Sequence, residues 1–146
     1  MEKLLFRSAA TWAIIGLVGG VYYREFTRFH DWDHPVFTQL STVHTHALVL
    51  GCLFMLVMLC LERVFSVSRH ARLANKAYVV WNVGVAMTVA MQAVKGSMQV
   101  AGVEAHTSPA IAGISGLGHI VLAVGFALYF HCLAKALRAS APTQVE

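Results

Sequence analysis

A chain of 146 residues with 58% hydrophobic and only 12% charged side chains cannot present charge to water on every side. Soluble domains carry about 25% charged residues, so the composition excludes an ordinary water-soluble core and points to one membrane domain. The formal net charge of +4 is not a nucleic-acid signal, because the basic residues flank apolar runs instead of clustering.

The first apolar run, about Leu5 to Tyr23, carries Gly16, Gly19 and Gly20, which allow close helix approach. It follows Met1-Glu2-Lys3 as a signal peptide would, but no A-x-A-like site comes after it, so it reads as a span. Tyr22 and Tyr23 form an interfacial belt. A short polar connection, Arg24 to His34, leads to Asp33-His34-Pro35, which has the form of a helix start. The second span is expected from Pro35 to about Val64. Ser66 to Lys76 is a basic loop, and the third span covers about Ala77 to Gln99. Gly102 to Ser108 connects to Ser108-Pro109, a second start of the same form, and the fourth span runs to about Leu137. The expected fold class is all-α: a single four-helix transmembrane domain over residues 1–146. Each half repeats the order of outgoing helix, His-bearing loop and returning helix, without matching in sequence.

Four spans leave both termini on one side of the membrane. Lys3, Arg7, Arg63, Arg69, Arg72, Lys76, Lys135 and Arg138 fall on that side, against Arg24, Arg28 and Lys95 on the other. The positive-inside rule therefore predicts cytoplasmic termini. Cys52, Cys60 and Cys132 lie inside spans at spacings that fit no disulfide or zinc site, and read as small apolar residues.

Chemistry is expected where imidazole enters the membrane, since an ionisable group there is costly and marks a site. His44 lies nine residues past Pro35 and His119 ten past Pro109. At 1.5 Å rise per residue both fall roughly 13–15 Å below their helix starts, and a histidine on each of two helices at one depth is how an axial haem pair is built. His44 and His46 point about 200° apart on a helix, so they cannot share one metal. The face of His44 continues through small and polar residues, Ser41, Gly51 and Cys52, and suits a cofactor. That of His46 continues through Val49, Leu50, Leu53 and Val57 and reads as lipid-facing or ordinary packing. Arg24, Lys95, Gln92 and Gln99, near the outer ends of spans one and three, are the candidate partners for haem propionates. Their cationic members double as interfacial anchors. No C-x-x-C-H attachment motif is present, so the haem would be b-type.

Three stretches, Tyr23-Arg24-Glu25-Phe26, Gln39 to Gly51 and Gly116-Leu117-Gly118-His119, resemble a bacterial family of small four-helix membrane proteins catalogued as a domain of unknown function. That likeness implies the fold and a bacterial cytoplasmic membrane. Val43 to Val49, V-H-T-H-A-L-V, also resembles the second-helix haem-ligand motif of the haem–copper oxidase and nitric oxide reductase superfamily, which implies His44 as ligand. The chain has no H-H pair for copper and far fewer helices than that superfamily, which speaks against oxygen reduction by this chain alone.

The expected function is thus a b-type haem protein for one-electron transfer or redox and gas sensing, ligated by His44 and His119. The expected partners are the lipid bilayer, a redox partner or larger membrane complex, and a second copy of the chain. The alternative is a non-haem membrane subunit, or a copper- or zinc-handling protein using His30, His34, His44, His46 and His106 at the outer face.

Overall fold

A computed structural model describes residues 1–32 and 36–140. Four helices are long and apolar enough to cross a membrane: α1 (Glu2–Phe29), α2 (Gln39–Phe65), α3 (Ala74–Val100) and α4 (Pro109–Ala139). Among the described residues there is no strand. The predicted spans are all present, with three differences at their ends.

Helix α1 continues six residues past the predicted stop at Tyr23, so Arg24 to Phe29 is helix and not connection. It ends where Asp31 turns left-handed, at φ 48°, and Trp32 N–H donates back to Thr27 O. Helix α2 does not begin by the predicted signal: Pro35 lies outside the described residues, and the helix starts at Gln39 with a 3-10 turn. The start is set by α3 instead. Gln39 N–H donates to Gln99 Oε1 at 2.8 Å, and the Thr38 hydroxyl reaches Gly96 O at 3.2 Å while accepting from Leu40 N–H. Gln99, expected near a propionate, is therefore occupied in holding this start. Ser66 ends α2 in the left-handed conformation and a single turn, Val67–His70, precedes α3.

Helix α2 is also not uniform. The wide π-helical stretch Ala47–Leu53 follows directly on His46. Because it takes more residues per turn than an α-helix, buried positions recur at intervals of four: Val43, Ala47, Gly51 and Met55 stay on one seam instead of drifting around the helix. That seam packs on α1. Val43 sits against Gly19, Ala47 and Leu48 against Gly16, and the Trp12 ring lies directly over Gly51, so that a Cβ at residue 51 would collide with it. The loosened ladder is tied down from α3, since Trp81 Nε1–H donates to Leu50 O at 3.0 Å.

In a bilayer the lipid is as apolar as leucine, so close packing and inter-helix hydrogen bonds hold such bundles. Helix α1 is joined to α3 at three levels: Ser8 to Tyr78 at 2.6 Å, Trp12 Nε1–H to Asn82 Oδ1 at 2.9 Å, and Tyr22 to Ser97 at 2.9 Å. Double-mutant cycles in a helical membrane protein put such bonds at about 0.6 kcal/mol each. Helix α4 lies along α3, where Gly84, Gly118 and Gly125 let the backbones approach. It meets α2 at an aromatic cluster in which Phe54 stacks on Trp81 at 4.1 Å and Phe126 meets both. The N-terminal half of α4 stands away from α2, with no close backbone approach to Gln39–Leu53. Along the spans, Leu17, Val18, Ile14 and Ile120 are all exposed, which is compatible with a lipid surround.

The even number of spans carries an expected result. A reporter fused after Arg28 or Val103 should read as external and one after Arg69 as cytoplasmic, if the basic end of the bundle obeys the positive-inside rule. A cytoplasmic signal from Val103 would invert the bundle.

Candidate functional site

The gap between the N-terminal halves of α2 and α4, floored by α3, is a cavity of about 230 Å³. His46 and Thr42 line it from α2, Thr88 and Gln92 from α3, and Ser115 and His119 from α4. The two imidazoles come from different helices and are separated in the sequence by the whole of α3.

Each ring is oriented by its own helix. His46 Nδ1 lies 3.0 Å from Thr42 O, and His119 Nδ1 lies 3.3 Å from Ser115 O. A backbone carbonyl accepts only, so Nδ1 must carry the proton and the lone pair is left on Nε2. This is the tautomer a metal-ligating imidazole takes, with the other nitrogen held by a carbonyl. The cavity floor adds two groups that lack partners: Thr88 Oγ1 and Gln92 Oε1 are both buried without a hydrogen bond. Buried polar groups are nearly always paired, and leaving one unpaired costs about 1–3 kcal/mol. Two such groups thus lie on the lining of one cavity, together with two imidazoles whose Nε2 has no partner within the chain.

The arrangement corrects the predicted facing of α2. His46, expected toward lipid or ordinary packing, lines the cavity with His119, and His44 does not. His44 lies on the opposite side, against α1, where a Cβ on Gly20 would touch its side chain at 3.7 Å. Its Nδ1 is buried there without a partner. The expected pairing of His44 with His119 is therefore not brought together. The reason is that α2 is apolar almost all round, so the faces of two histidines two residues apart cannot be ranked without knowing which neighbour each meets. The matched depth that motivated the pairing also rested on a start at Pro35.

Of the expected propionate partners, Gln92 reaches the cavity, whereas Arg24 and Lys95 do not line it. Arg24 is exposed and lies 3.6 Å from Glu25. His30 and His106 each turn Nδ1 onto a carbonyl of their own segment, Phe26 O and Val103 O. His34 lies outside the described residues. Among the described residues no three His, Cys, Asp or Glu side chains converge as a copper or zinc site would need. Ser115 is expected beside His119, one turn before it, but Thr88 was not anticipated; its signal is only the helical spacing that puts it one turn before Gln92.

A family model described as a protein of unknown function, DUF2871, matches residues 1–136. The chain belongs to the DUF2871 family. The match spans all four helices, so the cavity and both of its histidines fall inside the part that defines membership in DUF2871. No curated protein and no solved structure matches the chain.

Proposed function

We propose that this DUF2871 protein is a b-type haem protein of the bacterial cytoplasmic membrane, serving one-electron transfer or redox and gas sensing, with His46 and His119 as the axial pair. The observation that supports it is the convergence of these two imidazoles on one cavity, each with Nδ1 committed to a backbone carbonyl and Nε2 free. The donor set fits a haem, which asks for two axial nitrogens and no third ligand. Thr88 fits as well, since its unpaired hydroxyl can donate to a carboxylate, whereas the unpaired Gln92 Oε1 accepts and would meet a donor on the ligand.

The volume sets a condition. At about 230 Å³ the cavity is smaller than the ~300–1,000 Å³ usual for small-molecule sites, so it would enclose only part of a macrocycle. The remainder would rest on the open side of α4, where a Cβ at Gly113 or Gly116 would meet nothing. Bound haem would supply the one-electron couple. The chain would contribute the carbonyl-held rings of His46 and His119 and the polar floor of Thr88 and Gln92.

Detergent-purified protein should give a pyridine haemochrome spectrum of the b type at about one haem per chain, the stoichiometry of a single axial pair. Colourless protein that takes up no added haem would end this reading.

A further inference from the structure

At the other end of the bundle, the basic end, a second cavity of about 230 Å³ is lined by His70, Arg72, Leu73, His131 and Lys135, with Ala71. Two histidines, an arginine and a lysine meet there, and no carboxylate is among the lining residues. The sequence hides the cluster. His70 and Arg72 precede α3, while His131 and Lys135 are one turn apart near the end of α4, and each reads alone as a loop or interfacial residue. The fold joins them because the turn Val67–His70 packs against the last turns of α4.

Like charges do not gather at a notch without cost. The ion pairs formed among the described residues, Arg24 with Glu25 and Arg63 with Glu2, are both elsewhere. The cavity also lies at the N-terminus of α3: its lining residues Ala71, Arg72 and Leu73 lead directly into Ala74, and no side chain caps that helix. The first-turn N–H groups of a 27-residue helix therefore add their partial positive charge at the same end. Every charged side chain that lines this notch is basic, the nearby Glu62 carboxylate being bonded to Ser68, and the guanidinium brings a planar fork of donors suited to an oxyanion. The larger cavity nearby, around Lys3, Arg63 and Arg69, differs in holding Glu2 and Glu62 as well.

We propose that this notch binds a phosphate group, presented by an anionic lipid headgroup or by a free phosphate compound, at the membrane surface on the basic side of the bundle. Basic pockets between transmembrane helices on that side are suited to anionic headgroups. The inference is independent of the haem reading, since it concerns other residues at the opposite end.

The test measures binding to detergent-purified protein by native mass spectrometry and calorimetry. The probes are short-chain phosphatidic acid, short-chain phosphatidylcholine and inorganic phosphate. Phosphatidic acid should bind, phosphatidylcholine should not, and the double variant Arg72→Gln/Lys135→Gln should weaken binding at least tenfold. Arg138→Gln, which removes a charge from the same end outside the notch, should change it less than twofold. Competition by inorganic phosphate at comparable concentration would assign a free phosphate compound, and its absence a lipid. Binding that survives the double variant, or falls equally with Arg138→Gln, overturns the proposal. Unchanged helical circular dichroism in each variant separates these outcomes from misfolding.

Discussion

Gly96→Ala is expected to be among the most destabilising single-methyl changes in this bundle. A Cβ at residue 96 would overlap the backbone nitrogen of Leu40 and stand 2.6 Å from its Cα and 2.7 Å from its Cβ. Backbone cannot rotate aside as a side chain can, so the start of α2 must move off α3. Moving it strains the bonds that define that start, Gln39 N–H to Gln99 and the Thr38 hydroxyl to Gly96 O. Overpacking costs about 1–3 kcal/mol and each lost hydrogen bond about 1 kcal/mol, so a total near 3 kcal/mol is expected. For a chain of this size that is on the order of 5–10 °C in Tm. Gly113→Ala is the matched control, because a Cβ there meets open space, and it should be neutral or slightly stabilising. Thermal unfolding of both variants in detergent compares them. Equal midpoints would mean that α2 does not start where α3 holds it.

That contact also shows why one helix start was legible in the sequence and the other was not. Ser108-Pro109 is a local signal: proline at the first turn needs no partner beyond its own segment, and α4 begins there. The start of α2 is decided by residues 58 to 61 positions away, through Thr38 with Gly96 and Gln99. Nothing in the neighbourhood of Gln39 announces such a clamp. The four spans themselves were readable because hydropathy over ~20 residues is a property of each segment alone. The end of α1 was misplaced for a related reason. Arg24, Glu25 and Arg28 look like a loop by charge, yet arginine and glutamate are good helix formers, and the helix runs on past the apolar stretch until the backbone turns at Asp31.

The candidate site was half legible. His119 and Gln92 were singled out as membrane polar residues, and both line the outer cavity. The choice between His44 and His46 was not open to sequence, because it depends on the seam that α2 shows to α1. That seam is held straight by the π-helical stretch Ala47–Leu53, which has no signature in residue type. That the four basic residues of the opposite notch share one cavity was not legible, because they meet through the packing of the Val67–His70 turn on α4.

Haem retention should distinguish the two histidines of α2 sharply. His46→Ala and His119→Ala are each expected to lose most of the haem, and His44→Ala to keep most of it. His46 and His119 line one cavity with Nε2 free, while His44 lies on the other side of the helix against Gly20. Loss of an outer-shell partner typically costs 10–100-fold in metal affinity, so removing a ligand itself should cost at least that. Replacing the imidazole by a methyl group also leaves a space beside Thr42 and Gln39, which free imidazole can enter. Haem binding by His46→Gly should therefore recover in millimolar imidazole, an outcome that a merely packing role for His46 would not give. His44→Ala should instead relieve the unpartnered Nδ1 at the α1–α2 contact and leave the spectrum unchanged. The variants are to be compared by absorbance of haem per chain after detergent purification, with helical circular dichroism as the folding control. If His44→Ala is the damaging change and His46→Ala is silent, the iron lies between α1 and α2. The outer cavity would then belong to a different ligand, and its unpaired Thr88 and Gln92 would be the groups through which to find it.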